Sequence, residues 1–242
     1  MKERIRPELQ VYSDYTQEDF KVWKTLYNRQ IEFIKLHGSK DYIQALEKIG
    51  FIADQIPDFS EVNTRLKGIT GWKLQTVPCI SPADSFFKLL SEKVFTATCW
   101  IRDFSELDYI EEPDMFHDVF GHAPLLTNPD YVKFFKAMGE IAMGDISNQK
   151  LITMLQRLYW FTIEFGLVRE SGQIKFYGAG IISSQSETRH ALNPSSIKRD
   201  FNVSEIMNHD FRTDVIQEEY YVIDSFAQLS DSIEDIKREA GK

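Results

Sequence analysis

Cysteine, basic charge and long apolar runs are what this 242-residue chain has least of. Its two cysteines, Cys79 and Cys99, are too few for a disulfide framework, so the simpler expectation is free thiols in a reducing, cytoplasmic setting. Lys and Arg number 28 against 37 Asp and Glu, a net charge of −9. Binding to nucleic acid by counterion release needs clustered cations, and the shortage of them excludes a nucleic-acid partner. No apolar run approaches the roughly 20 residues that span a bilayer, so no membrane association is expected. Met1-Lys2-Glu3-Arg4-Ile5-Arg6 carries charges without the apolar stretch of a secretory leader. Repeats, low-complexity tracts, linkers and a Gly-rich dinucleotide fingerprint are all missing.

Hydrophobic residues make up 43% and aromatics 13%, enough for one substantial core, and nothing forces a second domain. The first helix is expected to open at Thr16 with Asp19 in its first turn. Phe20, Trp23, Tyr27, Ile31 and Ile34 then recur at steps of three and four until Gly38. A short helix over 42–48 stops at Gly50, 71–77 reads as extended, and Ser81-Pro82-x-Asp84 starts another helix. A short strand is expected at 98–102, helices from Asn128-Pro129 and over 150–167, and a strand over 172–177. Gly178-Ala179-Gly180 reads as a turn with close backbone approach, and 218–236 as a strand and an amphipathic helix. The fold class that follows is mainly α with a few short β-strands.

Histidine is also scarce, at five, yet two stand five apart in Glu112-Pro113-Asp114-Met115-Phe116-His117-Asp118-Val119-Phe120-Gly121-His122. At 3.6 residues per turn a five-residue step rotates by about 140°, so a straight helix would not aim both imidazoles at one point. Gly121 and Pro124 supply the means to end the helix, which places His117 on its last turns and His122 on the exit loop. Glu164 interrupts the apolar run Leu158-Tyr159-Trp160-Phe161-Thr162-Ile163-Glu164-Phe165-Gly166-Leu167. An ionised carboxylate buried there is costly unless it is paired or holds a cation. Two imidazoles and one carboxylate suit Fe(II) with an open face and suit zinc as well, and residue chemistry alone leaves unrelated core histidines open too. Among the other histidines, His37 beside Gly38 suits a helix-end cap, while His190 and His209 read as loop residues without a role.

The wording Glu112-Pro113-Asp114-x-x-His117-x-x-x-Gly121-His122-x-Pro124-Leu125, then Tyr159-Trp160-Phe161-x-x-Glu164-Phe165-Gly166-Leu167, then Tyr177-Gly178-Ala179-Gly180-Ile181-Ile182-Ser183-Ser184, resembles the catalytic domain of the pterin-dependent aromatic amino acid hydroxylases. Thr70-Gly71-Trp72, Trp100-Ile101-Arg102 and Tyr220-Tyr221-Val222 extend the likeness over about 70–226, while 1–60 carry no matching motif. The flavour is that of the single-domain bacterial phenylalanine hydroxylases. The resemblance implies Fe(II) on His117, His122 and Glu164 and two electrons for O2 from a tetrahydropterin. It further implies L-phenylalanine as substrate, with Arg102 on its carboxylate and Pro113, Trp160, Phe165, Gly180 and Ser183 around it. The pterin is expected on Phe86, with hydrogen bonds around Asp118 and Tyr159.

Asp118 replaces the Glu of the animal enzymes, Ile110 a Thr and Phe211 a Tyr, which alters polar contacts on the pterin and substrate sides. A regulatory domain and a tetramerising tail do not fit the length, so a monomeric single catalytic domain is expected. Tryptophan as substrate or another ring position is the near alternative, and a zinc hydrolase on the same ligands the distant one.

Overall fold

The computed structural model describes residues 5–241. Thr16 and Asp19 exchange backbone-to-side-chain bonds in a capping box that opens α1 (Gln17–His37). Its apolar period buries Val22, Trp23, Leu26 and Ile34. The Trp23 ring meets Phe116 and Phe120 edge-on at 5.5 and 6.2 Å, so the N-terminal helix packs directly on the segment that carries the paired histidines. Ser39 caps α2 (Lys40–Ile49), which stops on Gly50 at φ 73°. The Asp58-capped α3 (Phe59–Ile69) was not expected from sequence; Gly68 and the polar Asn63 and Thr64 dilute its apolar period of Phe59, Val62 and Leu66.

Strands β1 (Lys73–Thr76) and β2 (Val94–Ala97) pair in parallel, Lys73 opposite Val94, with α4 (Ala83–Ser91) between them in sequence. The ladder therefore ends before the expected strand at 98–102 begins. That stretch leaves the sheet and bonds to the start of the helical segment that carries the paired histidines, Met115 N–H donating to the Trp100 carbonyl at 2.9 Å. Helix α5 (Pro129–Gly144) starts at Asn128 as its sequence implies and lies against α4 at the backbone. A Cβ on Gly139 would stand 2.4 Å from the Ser91 nitrogen and 2.6 Å from the Phe87 carbonyl oxygen, so only glycine permits this approach.

Helix α6 (Gln149–Tyr159) is followed by a π-helical turn at Trp160–Glu164. The helix expected to reach residue 167 stops there because Leu167 belongs to the sheet, paired with Phe176 on one side and Val222 on the other. That sheet runs β4 (Gln173–Phe176), β3 (Leu167–Glu170), β6 (Glu219–Ile223), β5 (Ile197–Asp200); β3 and β4 are antiparallel and the other two pairs parallel. Gly178-Ala179-Gly180, read as a turn, opens the short helix α7 (Ala179–Ser183). The close approach is nonetheless real, since a Cβ on Gly178 would lie 2.3 Å from the Glu164 carbonyl oxygen. His190 lies on α8 (Gln185–Ala191), not in a loop, and His209 follows α9 (Val203–Met207) with its Nδ1 2.8 Å from the Tyr221 hydroxyl. The C-terminal helix expected as one is two, α10 (Phe226–Asp231) and α11 (Ile233–Ala240), separated at Ser232. Among the described residues no helix is long and apolar enough to cross a membrane.

Candidate metal centre and substrate cavity

The histidine pair corrects the sequence expectation. Phe116–His122 is a π-helical turn, so His122 stays in the helix instead of swinging out on an exit loop. With i→i+5 winding, five residues make up about one turn, and both imidazoles face the same way. Their Nε2 atoms stand 3.3 Å apart. The second π turn delivers the carboxylate in the same manner: Glu164 Oε1 is 3.2 Å from His122 Nε2, and Oε2 is 3.5 Å from His117 Nε2. One ligand atom from each of the three side chains falls within 4.8 Å of the others.

Burial alone would raise the Glu164 carboxyl, but His122 and His117 more than reverse this and hold it well below the usual carboxylate range. Burial likewise works against a charged His117, and the Glu164 carboxylate raises it in spite of that, with Asp118 and Asp114 adding to the effect.

The donor chemistry fits a cation. Ser183 Oγ donates to the Ala179 carbonyl at 2.8 Å, so towards His117 Nδ1, 2.9 Å away, it is an acceptor. That fixes the proton on Nδ1 and leaves the Nε2 lone pair facing His122 and Glu164, the arrangement a metal-binding histidine needs. His122 Nδ1 is buried and has no hydrogen-bond partner among the described residues. Two imidazole nitrogens and a carboxylate oxygen thus converge from three side chains that are mostly shielded from water.

The three open onto a cavity of about 1250 Å³, which every residue singled out from sequence lines: Arg102, Pro113, Trp160, Phe165, Gly180 and Ser183, and also Phe86, Asp118 and Tyr159. Trp160 and Phe165 tilt against each other at 4.7 Å, and Gly180 lies so close to the Phe165 ring that a Cβ would stand 2.8 Å from it. Phe86 meets Tyr159 edge-on at 5.3 Å, and Tyr159 stacks on Phe135 at 5.8 Å. Burial, with Glu164 adding to it, raises the Tyr159 phenol well above its ordinary value and keeps it protonated.

Several contributors had escaped the sequence reading. Asp114 stands in the histidine motif with no local sign of its role, and it takes the Arg102 Nε and Nη2 protons on its two oxygens, each at 2.8 Å. Burial would raise Asp114, and Arg102 overrides that to lower it. Thr98 donates to Asp118 Oδ2 from its backbone nitrogen at 2.7 Å and its hydroxyl at 2.8 Å. Burial still raises Asp118, against the pull of His117 and Thr98. Phe95 packs on His122 at 4.8 Å and stacks on Phe135 at 5.8 Å; no local signal marks either residue. Phe211, which the sequence places where the animal enzymes have Tyr, stacks on Trp160 at 4.6 Å.

A family model described as biopterin-dependent aromatic amino acid hydroxylase matches residues 7–240. A phenylalanine-4-hydroxylase of Chromobacterium violaceum is 42% identical over 221 residues, covering 90% of this chain and 73% of that one. One of Ralstonia nicotianae is 41% identical over 90% of this chain and 70% of its own. The crystal structure of the C. violaceum enzyme with bound iron(III) and oxidised cofactor 7,8-dihydrobiopterin superposes with a TM-score of 0.90 at 39% identity, covering 96% of this chain and 85% of that chain. With its two-histidine, one-carboxylate centre and its aromatic cavity, the chain belongs to the biopterin-dependent aromatic amino acid hydroxylases.

Proposed function

We infer that the chain is a phenylalanine 4-monooxygenase: it hydroxylates the ring of L-phenylalanine to give L-tyrosine, using O2, non-haem iron and a tetrahydropterin. The observation that carries this is the convergence of His117, His122 and Glu164 on one point in the wall of an aromatic cavity. In this reading those three side chains hold the iron. Iron and a tetrahydropterin, when bound, supply the site and the two electrons with which O2 is made able to attack an aromatic ring.

The protein's share is binding, orientation and the exclusion of water. Arg102 gives its side edge, Nε and Nη2, to Asp114, which leaves the Nη1–Nη2 end of the fork for the substrate carboxylate. Pro113, Trp160, Phe165 and Gly180 form the apolar slot for the substrate ring, and Ser183 fixes the His117 tautomer at Nδ1. Phe86 and Tyr159 give the pterin its aromatic platform, and Asp118, held by Thr98, offers it an acceptor. The shorter reach of Asp118 compared with Glu leaves room for a bridging water. With this reading go a single catalytic domain, a monomeric state, a cytoplasmic location in keeping with the free thiols of Cys79 and Cys99, and a place in phenylalanine catabolism.

The test is to incubate iron-loaded protein with tetrahydropterin, O2 and L-phenylalanine, with L-tryptophan in competition, and to identify products by chromatography and mass. Tyrosine formed only with iron and pterin is the expected result. Preferential hydroxylation of tryptophan would overturn the substrate, and turnover with zinc alone would overturn the chemistry.

A further inference from the structure

The cavity holds one more carboxylate, half-buried, than the reaction as described uses. Glu164 faces the imidazoles, Asp118 is taken by Thr98 and Asp114 by Arg102. On the rim, Asp108 pairs with Arg29 and Asp214 with Arg212, while Glu111 is exposed. Glu187, on α8, lines the same cavity but, among the described residues, accepts only from neutral donors. The Gln217 backbone N–H reaches its Oε1 at 3.2 Å and the Tyr220 hydroxyl its Oε2 at 3.3 Å. Burial pushes its carboxyl up to about 7 despite both bonds, the behaviour of an acid short of a counter-charge.

An amino acid entering this cavity brings two charged groups. The free end of the Arg102 fork answers the carboxylate, and the ammonium, with three donors, needs an acceptor of its own. Ile110 on the rim has no side-chain acceptor to offer. Gln217 ties Glu187 to the ring slot: its backbone N–H goes to Glu187, and its Oε1 accepts from Trp160 Nε1 at 2.9 Å. The carboxylate is thereby registered against the aromatic wall on which the substrate ring lies.

We propose that Glu187 binds the α-ammonium group of the amino acid substrate, so that Arg102 and Glu187 together select a zwitterion. This rests on the hydroxylase reading above for the identity of the substrate, and its test is therefore a binding measurement that does not need turnover.

Calorimetry on iron-loaded protein compares L-phenylalanine with 3-phenylpropanoate, which has the ring and the carboxylate but no amino group. Glu187→Gln keeps the length and shape of the side chain, and a native circular-dichroism spectrum checks its fold. The expected result is a loss of about tenfold or more in affinity for L-phenylalanine, the scale of one charge-assisted hydrogen bond, with 3-phenylpropanoate bound within about twofold of wild type. Glu187→Asp, which keeps the charge, recovers part of the loss. In turnover the loss appears in KM, with kcat within about twofold. An E187Q protein that binds L-phenylalanine as tightly as wild type, or loses both ligands equally, overturns the proposal. A wild-type protein that binds L-phenylalanine but makes no tyrosine overturns the hydroxylase reading and leaves the Glu187 comparison decisive on its own terms.

Discussion

Arg102 and Asp114 meet through two parallel bonds of 2.8 Å, and Asp114 also accepts the Arg102 backbone N–H at 3.0 Å and that of His117 at 3.2 Å. One carboxylate thus aims the guanidinium and ties it to the helical turn of the paired histidines. Since both side chains are almost fully buried, removing one charge strands the other. Asp114→Asn is expected to cost roughly 3 kcal/mol in unfolding free energy, with a rise in KM for phenylalanine of about tenfold or more. Chemical denaturation and steady-state kinetics check it; a KM equal to wild type would mean that Arg102 holds its pose without the charge.

Glu164→Gln removes the one anionic donor of the centre. Iron content after loading and desalting is expected to fall to background, and tyrosine formation by at least about a thousandfold. Elemental analysis beside a product assay reads both, and a variant that retains iron and turnover would strike the carboxylate from the ligand set.

Ser183→Ala leaves the His117 Nδ1–H without its acceptor. A partner of this kind is worth about 10–100-fold in metal affinity, so the variant is expected to bind iron that much more weakly while regaining much of its rate at saturating iron. An iron titration followed by activity separates these two effects.

Gly139→Ala tests the contact between α4 and α5. The added methyl meets the backbone of Ser91 and Phe87, which cannot rotate away, so a loss of about 2–3 kcal/mol is expected. Because Phe86 rides on α4, pterin affinity should fall with it. Thermal unfolding and pterin titration check the pair.

Glu187 gives a pH dependence whose sign follows from its raised carboxyl. Folded, it holds its proton up to about 7, whereas the unfolded chain releases it near the ordinary 4.5. Between those values the folded state binds more protons, so stability falls as pH rises from about 4.5 to about 7, and the penalty persists above. Without substrate, Glu187→Gln should therefore be more stable than wild type at pH 8, by on the order of 2 kcal/mol, and equal to it at pH 4. Denaturation at the two pH values decides.

How much of this the chain displays in advance varies with the physics of each element. The start of α1 was legible because Thr16 and Asp19 cap it locally, and β4 lies within the stretch 172–177 expected as a strand, entered through Ser171 and Gly172 at positive φ of 50° and 77°. The three converging side chains were legible as chemistry, histidines and an acid in apolar surroundings. Their local backbone was not, because a π turn differs from an α turn by one residue and leaves no mark on hydrophobic periodicity. Asp114, Thr98 and Glu187 owe their roles to partners 12, 20 and 30 residues away, and no local pattern encodes such pairings.

Each π turn also makes the chain a ruler with no slack. His117 and His122 meet because five residues fill one wide turn, and Glu164 arrives because a second such turn ends α6. Losing one residue from either turn would restore ordinary winding and swing a ligand around by about 100°. Substitutions between the ligands can keep the geometry, but insertions and deletions cannot. Variation in length among functional descendants of this chain is thereby confined to stretches outside 116–122 and 160–164.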